Sequence, residues 1–373
     1  MPDLTPGYII FIVLLLFTAV LLFYYFYFFL RLVFFRPKVR KTMQQQPVSI
    51  IVCGKDEARN FTRNIPGLIF QEYATSHQIL VVNDNSVDDS KFILQELHAK
   101  YGGLSVLNLQ QNAQHIPGKK YPLSMGIREA VHEILLLTDA DCVPATEFWL
   151  QKMQEPYEDG ADIVLGYGAY HKHPGFLNKV IRYETFHSAL QYLSYALAGH
   201  PYMGVGRNLS YKKSLFLNNK GFSGINHLPG GDDDLFINKV ATPHNTAIVI
   251  DPAAHTLSSP KRTWKEWKNQ KNRHFSTSKY YKTKHKILLG LYSLSHFLFY
   301  FLVIACCLGF DWRVGLGILA GKSIIQQLIF SRVMKRLNEA DLRKWVLVMD
   351  LWMVLYYLLF APMLIKKEKK TWN

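Results

Sequence analysis

Two aspartates separated by one residue, Asp139 and Asp141, directly follow the apolar run at residues 134–137. A short Leu-rich run predicts a buried strand, which places both carboxylates at its carboxyl end. Mg2+ takes oxygen ligands and uses one or two protein carboxylates, while its other positions remain for phosphate and water. The pair is therefore a candidate metal site, although an isolated Asp-x-Asp is also typical of a solvated turn after a strand.

The elements around this pair predict a layered α/β domain. Strands are predicted at residues 48–52, 79–82, 104–107 and 134–137, and helices within 57–70, at 88–100 with Ser86 as the cap, and at 123–131. Strands that alternate with helices indicate a mostly parallel sheet with helices on both faces. Ligands of such sheets bind beyond the carboxyl ends of the strands.

Further polar side chains are expected at that edge. Asp84 follows the second predicted strand, and Lys119 lies in the loop at residues 117–120. A carboxylate can accept from a base N–H or a ribose hydroxyl, and a lysine can contact a phosphate. A metal on the aspartate pair can neutralise a diphosphate. Each motif alone is common in loops that follow strands. Their common position at one edge of the sheet predicts a site for a nucleoside diphosphate.

A second acidic group occurs later, where two glycines precede Asp232, Asp233 and Asp234. Three consecutive carboxylates repel one another, and this repulsion raises the pKa of at least one of them. A carboxylate with an adjusted pKa suits a general base that deprotonates a sugar or lipid hydroxyl. A solvated acidic helix start is the alternative interpretation of these residues.

The composition favours a membrane protein. Of the 373 residues, 49% are hydrophobic and 14% aromatic, and the formal net charge is +15. That charge suits anionic lipid, phosphorylated substrates or nucleic acid without choosing among them. The basic, aromatic segment 261–268 predicts an amphipathic helix at a membrane face. We therefore expect that the protein associates with a membrane and does not bind nucleic acid.

The four cysteines indicate neither a zinc site nor a disulfide framework. Cys53, Cys142, Cys306 and Cys307 lack C-x-x-C spacing and have no nearby histidines in the sequence. We expect them to be small core residues in a reducing compartment.

A long apolar segment near the N-terminus, residues 7–35, predicts a membrane span. Arg31 is its only charge, and its length exceeds the ~20 residues that cross the hydrocarbon core. It is too long for a cleaved signal peptide and lacks a positive region before it. Basic residues follow, so the positive-inside rule predicts that the next domain is cytoplasmic; they are Arg36, Lys38, Arg40 and Lys41.

The C-terminal region predicts two or three more spans. Residues 287–310 and 345–365 are clearly apolar, the second with Asp350 inside it, whereas polar side chains interrupt residues 316–330. If 316–330 spans, the basic residues 366–370 lie outside. If it does not, the basic residues at 335, 336, 343 and 344 are exported. Either topology conflicts with the positive-inside rule.

Four segments, in this order and spacing, resemble the signatures of inverting family 2 glycosyltransferases with the GT-A fold. They lie at residues 48–57, 81–88, 118–127 and 138–141, and Asn83 stands where the family often has a first Asp. The resemblance covers roughly residues 47–280. It implies an N-terminal membrane helix with a basic flank (1–41), a cytoplasmic GT-A domain (42–260), an interfacial segment (261–284) and a C-terminal membrane region (285–373).

The resemblance also implies roles for individual residues. Asp139 and Asp141 would hold Mg2+ or Mn2+, with Asp141 the one expected to touch the metal. Counting back from Leu235 in the family pattern Glu-Asp-x-x-Leu makes Asp232 the general base, and Asp233 is the runner-up in the neighbouring register. The expected contacts to the nucleotide sugar are Lys55, Glu57, Asp84, Lys119, Asp139, Asp141, Gln270 and Arg273.

Gln270 and Arg273 belong to a segment that is similar to the Gln-x-x-Arg-Trp motif of membrane-integrated members, with His274 in place of Trp. The resemblance implies that Arg273 clamps the diphosphate and that Gln270 borders the acceptor. It implies inverting transfer of a sugar from a nucleoside diphosphate sugar, with UDP as the expected nucleotide, to a hydroxyl of a lipid or glycan.

Two alternatives to single transfer remain. The missing Trp and the few C-terminal spans favour single transfer, as in ceramide glucosyltransferase-like proteins, over processive polysaccharide synthesis. A noncatalytic membrane scaffold is the other alternative, and the intact set of carboxylates argues against it.

Overall fold

The structure is a computed structural model that describes residues 5–38, 44–110 and 116–364, without the side chains at positions 273, 274, 276, 363 and 364. Its strands are β1 (Val48–Gly54), β2 (His77–Asp84), β3 (Leu104–Leu109), β4 (Ile134–Asp139), β5 (Cys142–Pro144), β6 (Ile163–Leu165), β7 (Gly168–Tyr170), β8 (Leu209–Lys212), β9 (Thr246–Ile248) and β10 (Thr256–Ser258).

The α-helices are α1 (Pro6–Phe23), α2 (Leu30–Phe34), α3 (Ala58–Ile69), α4 (Ser90–Lys100), α5 (Lys120–Glu129), α6 (Trp149–Gln154), α7 (Phe176–Leu197), α8 (Lys213–Asn218), α9 (Asp234–Val240), α10 (Trp264–Ser278), α11 (Thr283–Gly309), α12 (Trp312–Arg336) and α13 (Val346–Phe360). A π-helical turn at Tyr24–Phe29 joins α1 to α2, and short 3-10 helices occur at Glu155–Asp159, Ser223–Ile225, Pro252–Ala254, Ala340–Trp345 and Ala361–Leu364.

Strands β1 to β4 form the parallel part of a seven-stranded sheet with the order β3-β2-β1-β4-β8-β6-β9. β8 runs antiparallel to both β4 and β6. Every residue of β1 is buried, as expected for a parallel strand with helices on both faces. The predicted α/β class with a mostly parallel sheet is confirmed. A smaller sheet with the order β5-β10-β7 lies at its side.

The register brings the predicted polar motifs to one edge. Cys53 near the end of β1 is paired with Asp139 at the end of β4, and Gly54 is paired with Asn83 of β2. One detail of the prediction is wrong, because α4 begins at Ser90 with Asp89 as its N-cap residue. The Ser86 hydroxyl instead accepts the Asp56 N–H at 2.9 Å, which ties the loop after β2 to the loop after β1.

Within the described residues, three helical segments are long and apolar enough to cross a membrane: Pro6–Phe34, Thr283–Gly309 and Trp312–Arg336. The first and second run antiparallel, since the Phe11 and Phe310 rings stack with centroids 4.9 Å apart. At the opposite end, Nη1 of Arg336 donates to the carbonyls of Leu32 and Val33 at 2.8 Å each. The three segments therefore form one helical bundle.

Residues 316–330 lie inside α12, one of the candidate spans. Two of the polar side chains that interrupted the apolar pattern, Lys322 and Gln326, are buried in the bundle, whereas Gln327 is half-buried and donates to Ser331 and to the Arg343 carbonyl. Lys322 donates to the Asp350 carboxylate and to Gln326 Oε1, the latter at 2.7 Å, and the His296 ring contacts Asp350 at 2.8 Å. Polar side chains are tolerated at membrane depth when they pair with one another in this way.

The predicted span at 345–365 stays a prediction, since residues from 365 onward lie outside the described part of the chain. The α-helix here, α13, has only 15 residues and is not among the candidate spans in the described part of the chain. Trp345, just before α13, packs on Phe176 of α7 with centroids 6.2 Å apart. At the other end Phe360 stacks on Phe275 of α10 at 5.3 Å. Both ends of α13 thus contact helices that border the α/β domain, a placement that hydropathy cannot reveal.

Ionic contacts fasten the turn before α13 to the α/β domain. Arg182 of α7 donates from Nε to Glu339 at 3.0 Å and from Nη1 to Asp341 at 2.8 Å. The Tyr167 hydroxyl donates to Glu339 at 3.1 Å. The end of α12 and the start of α13 are therefore both on the domain side of the bundle.

Candidate active site

The loops after β1 and β2 surround Asp84. This carboxylate is half-buried and accepts from Asn85 Nδ2 at 3.1 Å. Burial raises its pKa, and the Asn85 hydrogen bond and the charge of Lys55 oppose that rise. Asn85 and Asp56 adopt left-handed backbone conformations, with φ of 51° and 57°. Asn and Asp tolerate this conformation better than other side chains, so the two loops turn sharply beside Asp84.

The other predicted residues at this end lie close by. Lys55 is exposed and acts electrostatically on Asp84. Glu57 is half-buried and accepts from Asn60 Nδ2, while burial raises its pKa. Asn83 is buried and donates to Asn108 of β3 at 2.9 Å. This hydrogen bond joins the ends of β2 and β3.

The aspartate pair lies at the same edge, after β4. Lys119 donates to the Asp139 carboxylate. Burial opposes the charged form of Asp139, but the charge and hydrogen bond of Lys119 outweigh burial and lower its pKa. Burial, followed by the charge of Asp139, raises the pKa of Asp141. The nearest hydrogen-bonding group to Asp141 is the Cys142 thiol at 3.5 Å, which leaves its oxygens more open than those of Asp139.

The donor set fits a hard divalent cation. Ligand atoms of Asp139, Asp141 and Cys142 lie within 4.8 Å of one another. Cys142 is buried, burial raises the pKa of its thiol well above the usual range, and its sulfur contacts Ser258 at 2.9 Å. A neutral thiol is a poor ligand for Mg2+ or Mn2+, whereas carboxylate oxygens suit both. The two aspartates are thus the residues here that would hold such an ion.

A close backbone approach joins the loop of Lys119 to the acidic loop. Gly118 has a φ of +81°, and a Cβ there would lie 2.3 Å from the Pro229 carbonyl oxygen, so only glycine fits. The neighbouring Lys120 ammonium donates to the Leu228 carbonyl. These contacts place the acidic loop next to Lys119, whose pKa is influenced by the charges of both Asp139 and Asp232.

The three consecutive carboxylates have different partners. Asp233 accepts the N–H groups of Gly206 at 2.8 Å and Asp234 at 2.7 Å. Asp234 is buried and accepts from the hydroxyls of Thr277 and Tyr281, the latter at 2.8 Å. Asp232 is half-buried, and its carboxylate accepts no hydrogen bond from any residue that the structure describes. Asp232 is therefore the member of the three whose oxygens remain open to a ligand.

Burial and repulsion act as expected on this group. Burial, followed by the charges of Asp232 and Asp234, raises the pKa of Asp233 to about 8. Burial also raises the pKa of Asp234. The pKa is thus raised in two of the three carboxylates, in line with the expectation that repulsion raises at least one.

Helix α10 carries the predicted site residues Gln270 and Arg273. It begins with a capping box, in which the Thr263 hydroxyl accepts the Glu266 N–H at 3.2 Å. Gln270 Nε2 donates to the Tyr170 hydroxyl at 3.3 Å. The side chain of Arg273 lies outside the described part of the structure, so its predicted contact stays a prediction. Trp267 of the same helix is 2% exposed and packs against Phe360.

Arg207 is a site residue that the sequence did not single out. Its carbonyl accepts from Thr138, directly before Asp139, and from Thr256 of β10, both at 2.9 Å. Asn208 fixes the next position by donating to the carbonyls of Tyr167 at 3.0 Å and Ala254 at 2.8 Å. The segment 204–213 resembles a Gly-rich strand that approaches the donor sugar, but its lone glycine pattern is weak. Arg207 itself could not be singled out, because it reaches the aspartate pair only through the antiparallel pairing of β8 with β4.

Comparison with known families agrees with this geometry. Residues 49–217, which include β1 to β8, match the family described as Glycosyl transferase family 2. The chain contains a family 2 glycosyltransferase domain. This glycosyltransferase is 25% identical over 326 residues to the probable glycosyltransferase YdaM of Bacillus subtilis, a match that covers 76% of this chain and 72% of that one.

Two further proteins are similar to this glycosyltransferase. It is 33% identical over 125 residues to the beta-monoglucosyldiacylglycerol synthase of Trichormus variabilis, which covers 32% of this chain but only 26% of that protein. Among solved structures, a mannosyltransferase from Pyrobaculum calidifontis, in complex with GDP-Man and Mn2+, superposes with a TM-score of 0.58 at 17% identity. That match covers 92% of this chain and 98% of the neighbour, and it identifies the fold as GT-A-like.

Proposed function

We propose that this glycosyltransferase transfers a sugar, with inversion, from a nucleoside diphosphate sugar to a hydroxyl of a membrane lipid or lipid-linked glycan at the cytoplasmic face. UDP is the expected nucleotide. The observation that carries the proposal is the Asp232 carboxylate, which accepts no hydrogen bond from the described residues and whose charge acts on Lys119 together with that of Asp139. The site lies next to a bundle of candidate membrane spans.

The described residues supply each part of that reaction. Asp84 would accept hydrogen bonds from the nucleoside. A divalent cation held by Asp139 and Asp141 would neutralise the diphosphate as it leaves. Asp232 would take the proton of the acceptor hydroxyl while that oxygen attacks the anomeric carbon from the face opposite the diphosphate. One displacement of this kind inverts the anomeric configuration.

A lipid-linked acceptor is supported by where the site lies. Gln270 on α10 borders the site, and the same helix packs on α13 through Phe275 and Phe360. An acceptor hydroxyl could therefore approach while its apolar part stays in the bilayer. The name of the Trichormus variabilis relative, a glucosyldiacylglycerol synthase, agrees with an acceptor of this class.

A cytoplasmic orientation is supported by the arrangement of the candidate spans. If Pro6–Phe34, Thr283–Gly309 and Trp312–Arg336 all cross the membrane and α13 does not, the basic residues after α2 and those at and after the end of α12 share one side. Arg36, Lys335, Arg343 and Lys344 are among them. The conflict with the positive-inside rule disappears for the described residues; the basic residues 366–370 lie outside them.

The test is a product analysis with the full chain in detergent or lipid discs. The protein is incubated with Mn2+ and a panel of UDP- and GDP-linked sugars, together with membrane lipids, and the products are identified by mass. One new lipid carrying one added hexose supports single transfer. A ladder of lengthening glycans would support the processive alternative, and no release of nucleoside diphosphate with any donor would contradict transferase activity altogether.

A further inference from the structure

The Arg207 side chain lies between the aspartate pair and the small sheet. Its Cζ is 4.3 Å from the centre of the Tyr170 ring, a cation–π distance. On its other side, a Cβ at Gly168 would lie 3.0 Å from the Arg207 Cβ, so the glycine makes room for the arginine. Backbone and ring together hold the guanidinium in one place before any ligand binds.

One donor of this guanidinium is unused. Nη1 of Arg207 is buried and has no hydrogen-bond partner among the residues that the structure describes. A buried donor without a partner is costly, and native proteins rarely leave one unpaired without a reason. The charge of Arg207 acts on both Asp139 and Asp141, and its carbonyl accepts from Thr138 directly before Asp139, so the arginine lies next to the proposed diphosphate position.

The charges around the aspartate pair indicate which ligand this donor could bind. The Lys119 ammonium is already paired with Asp139, and a cation on the two aspartates would be largely balanced by them. The diphosphate of a donor brings further negative charge. We propose that Arg207 binds the diphosphate of the nucleotide sugar and that Tyr170 positions it. This inference rests on the proposed function and adds a diphosphate-binding residue to it.

The role of Arg207 in the reaction is electrostatic. As the bond between the anomeric carbon and the diphosphate oxygen breaks, its electron pair stays on that oxygen while the acceptor oxygen bonds to the carbon. The guanidinium donates to the diphosphate and stabilises its growing charge without losing a proton, because arginine stays protonated. The acceptor proton goes to Asp232.

Tyr170 links this arginine to α10. Its ring supports Arg207, and its hydroxyl accepts from Gln270 Nε2 at 3.3 Å. Gln270 Oε1 is itself buried and unpartnered within the described residues. The contacts that hold Arg207 therefore continue into α10.

The experiment measures nucleotide binding by calorimetry on the full detergent-solubilised protein with Mn2+, using UDP and UMP and, in parallel, GDP and GMP. Arg207→Gln is expected to weaken diphosphate binding on the order of 10- to 100-fold, the usual effect of one hydrogen bond between charged groups, with a much smaller effect on the monophosphate. Lys212→Gln is the matched control: Lys212 lies in β8 and pairs with Asp162 at 2.8 Å, so binding should not change.

The Tyr170 variants test positioning even if Arg207→Gln does not fold. Tyr170→Phe keeps the ring and should retain diphosphate affinity, whereas Tyr170→Leu should weaken it. Equal loss for diphosphate and monophosphate, or wild-type affinity in both Arg207→Gln and Tyr170→Leu, would overturn the inference and leave the proposed function intact. Wild-type protein that binds neither UDP nor GDP would overturn the proposed function itself.

Discussion

Asp233 accepts the Gly206 N–H at 2.8 Å, and this contact separates the roles of two adjacent carboxylates. Gly206 directly precedes Arg207, so Asp233 fixes the backbone of the arginine that we place at the diphosphate. Its second oxygen accepts the Asp234 N–H at 2.7 Å. With both oxygens hydrogen-bonded to backbone N–H groups, Asp233 has a structural role. Asp232 has no such contact among the described residues.

The first prediction follows from that difference. Asp232→Asn should lower turnover roughly 10²- to 10⁴-fold, the usual contribution of a general base, while donor binding stays close to wild type. Asp233→Asn should keep much of its turnover and lose stability instead. The measurement is nucleoside diphosphate release at saturating donor and acceptor. Full activity in Asp232→Asn together with an inactive, folded Asp233→Asn would assign the base to Asp233.

The second prediction concerns the metal. Asp141→Ala should abolish metal-dependent turnover and weaken Mn2+ binding in the presence of nucleotide, because Asp141 has the more open carboxylate. Asp139→Ala should also weaken Mn2+ binding, and it leaves the Lys119 ammonium without its partner. Mn2+ affinity is measured by electron paramagnetic resonance. Asp162→Ala is the control, since Asp162 pairs with Lys212; equal Mn2+ affinity in Asp141→Ala and this control would contradict the assignment.

The third prediction is a pH dependence of stability. The pKa of Asp233 is raised from 3.8 to about 8 in the folded protein, so the folded state binds more protons at this group than the unfolded state between those values. Its contribution to stability is present at low pH and is lost as pH rises toward about 8. Asp233→Asn should flatten this part of the profile, measured as melting temperature against pH. An unchanged slope would contradict the raised pKa.

Much of the site could be predicted from sequence because parallel strands end at one edge. Asp84 and Asp139 follow apolar runs that were readable as strands, and their positions needed no tertiary information. Arg207 could not be found in this way, because its place depends on the pairing of β8 with a strand that ends 70 residues earlier in the chain. Strand pairing between distant parts of the chain leaves no pattern in the local sequence from which it could be predicted.

The same limit applies to the C-terminal helices. A hydropathy profile reports how apolar a segment is, but not what covers it. One face of Val346–Phe360 packs on α7, where the Tyr356 hydroxyl donates to Glu184 at 3.2 Å. The polar residues of α12 left its span undecided in the sequence, because the sequence does not show that Lys322 is compensated by Asp350 of another helix.

The fourth prediction tests that compensation. Lys322→Met leaves the buried Asp350 without its cation and should destabilise the protein by about 3–5 kcal/mol. The double variant Lys322→Met with Asp350→Leu removes both charges and should recover most of that loss. Lys335→Met is the control on the same helix, because Lys335 is exposed. Stability is measured by thermal unfolding in detergent, and a double variant less stable than Lys322→Met would contradict the pairing.

The fifth prediction tests the topology. Asp311 lies in the turn between α11 and α12, and Asn338 lies in the turn that follows α12. If α12 spans and α13 returns to the α/β domain, these turns are on opposite sides of the membrane. In a background with the four native cysteines replaced, Asp311→Cys should react with an impermeant maleimide added to intact cells, and Asn338→Cys only after the cells are opened. Labelling of both turns from the same side would show that α12 does not cross.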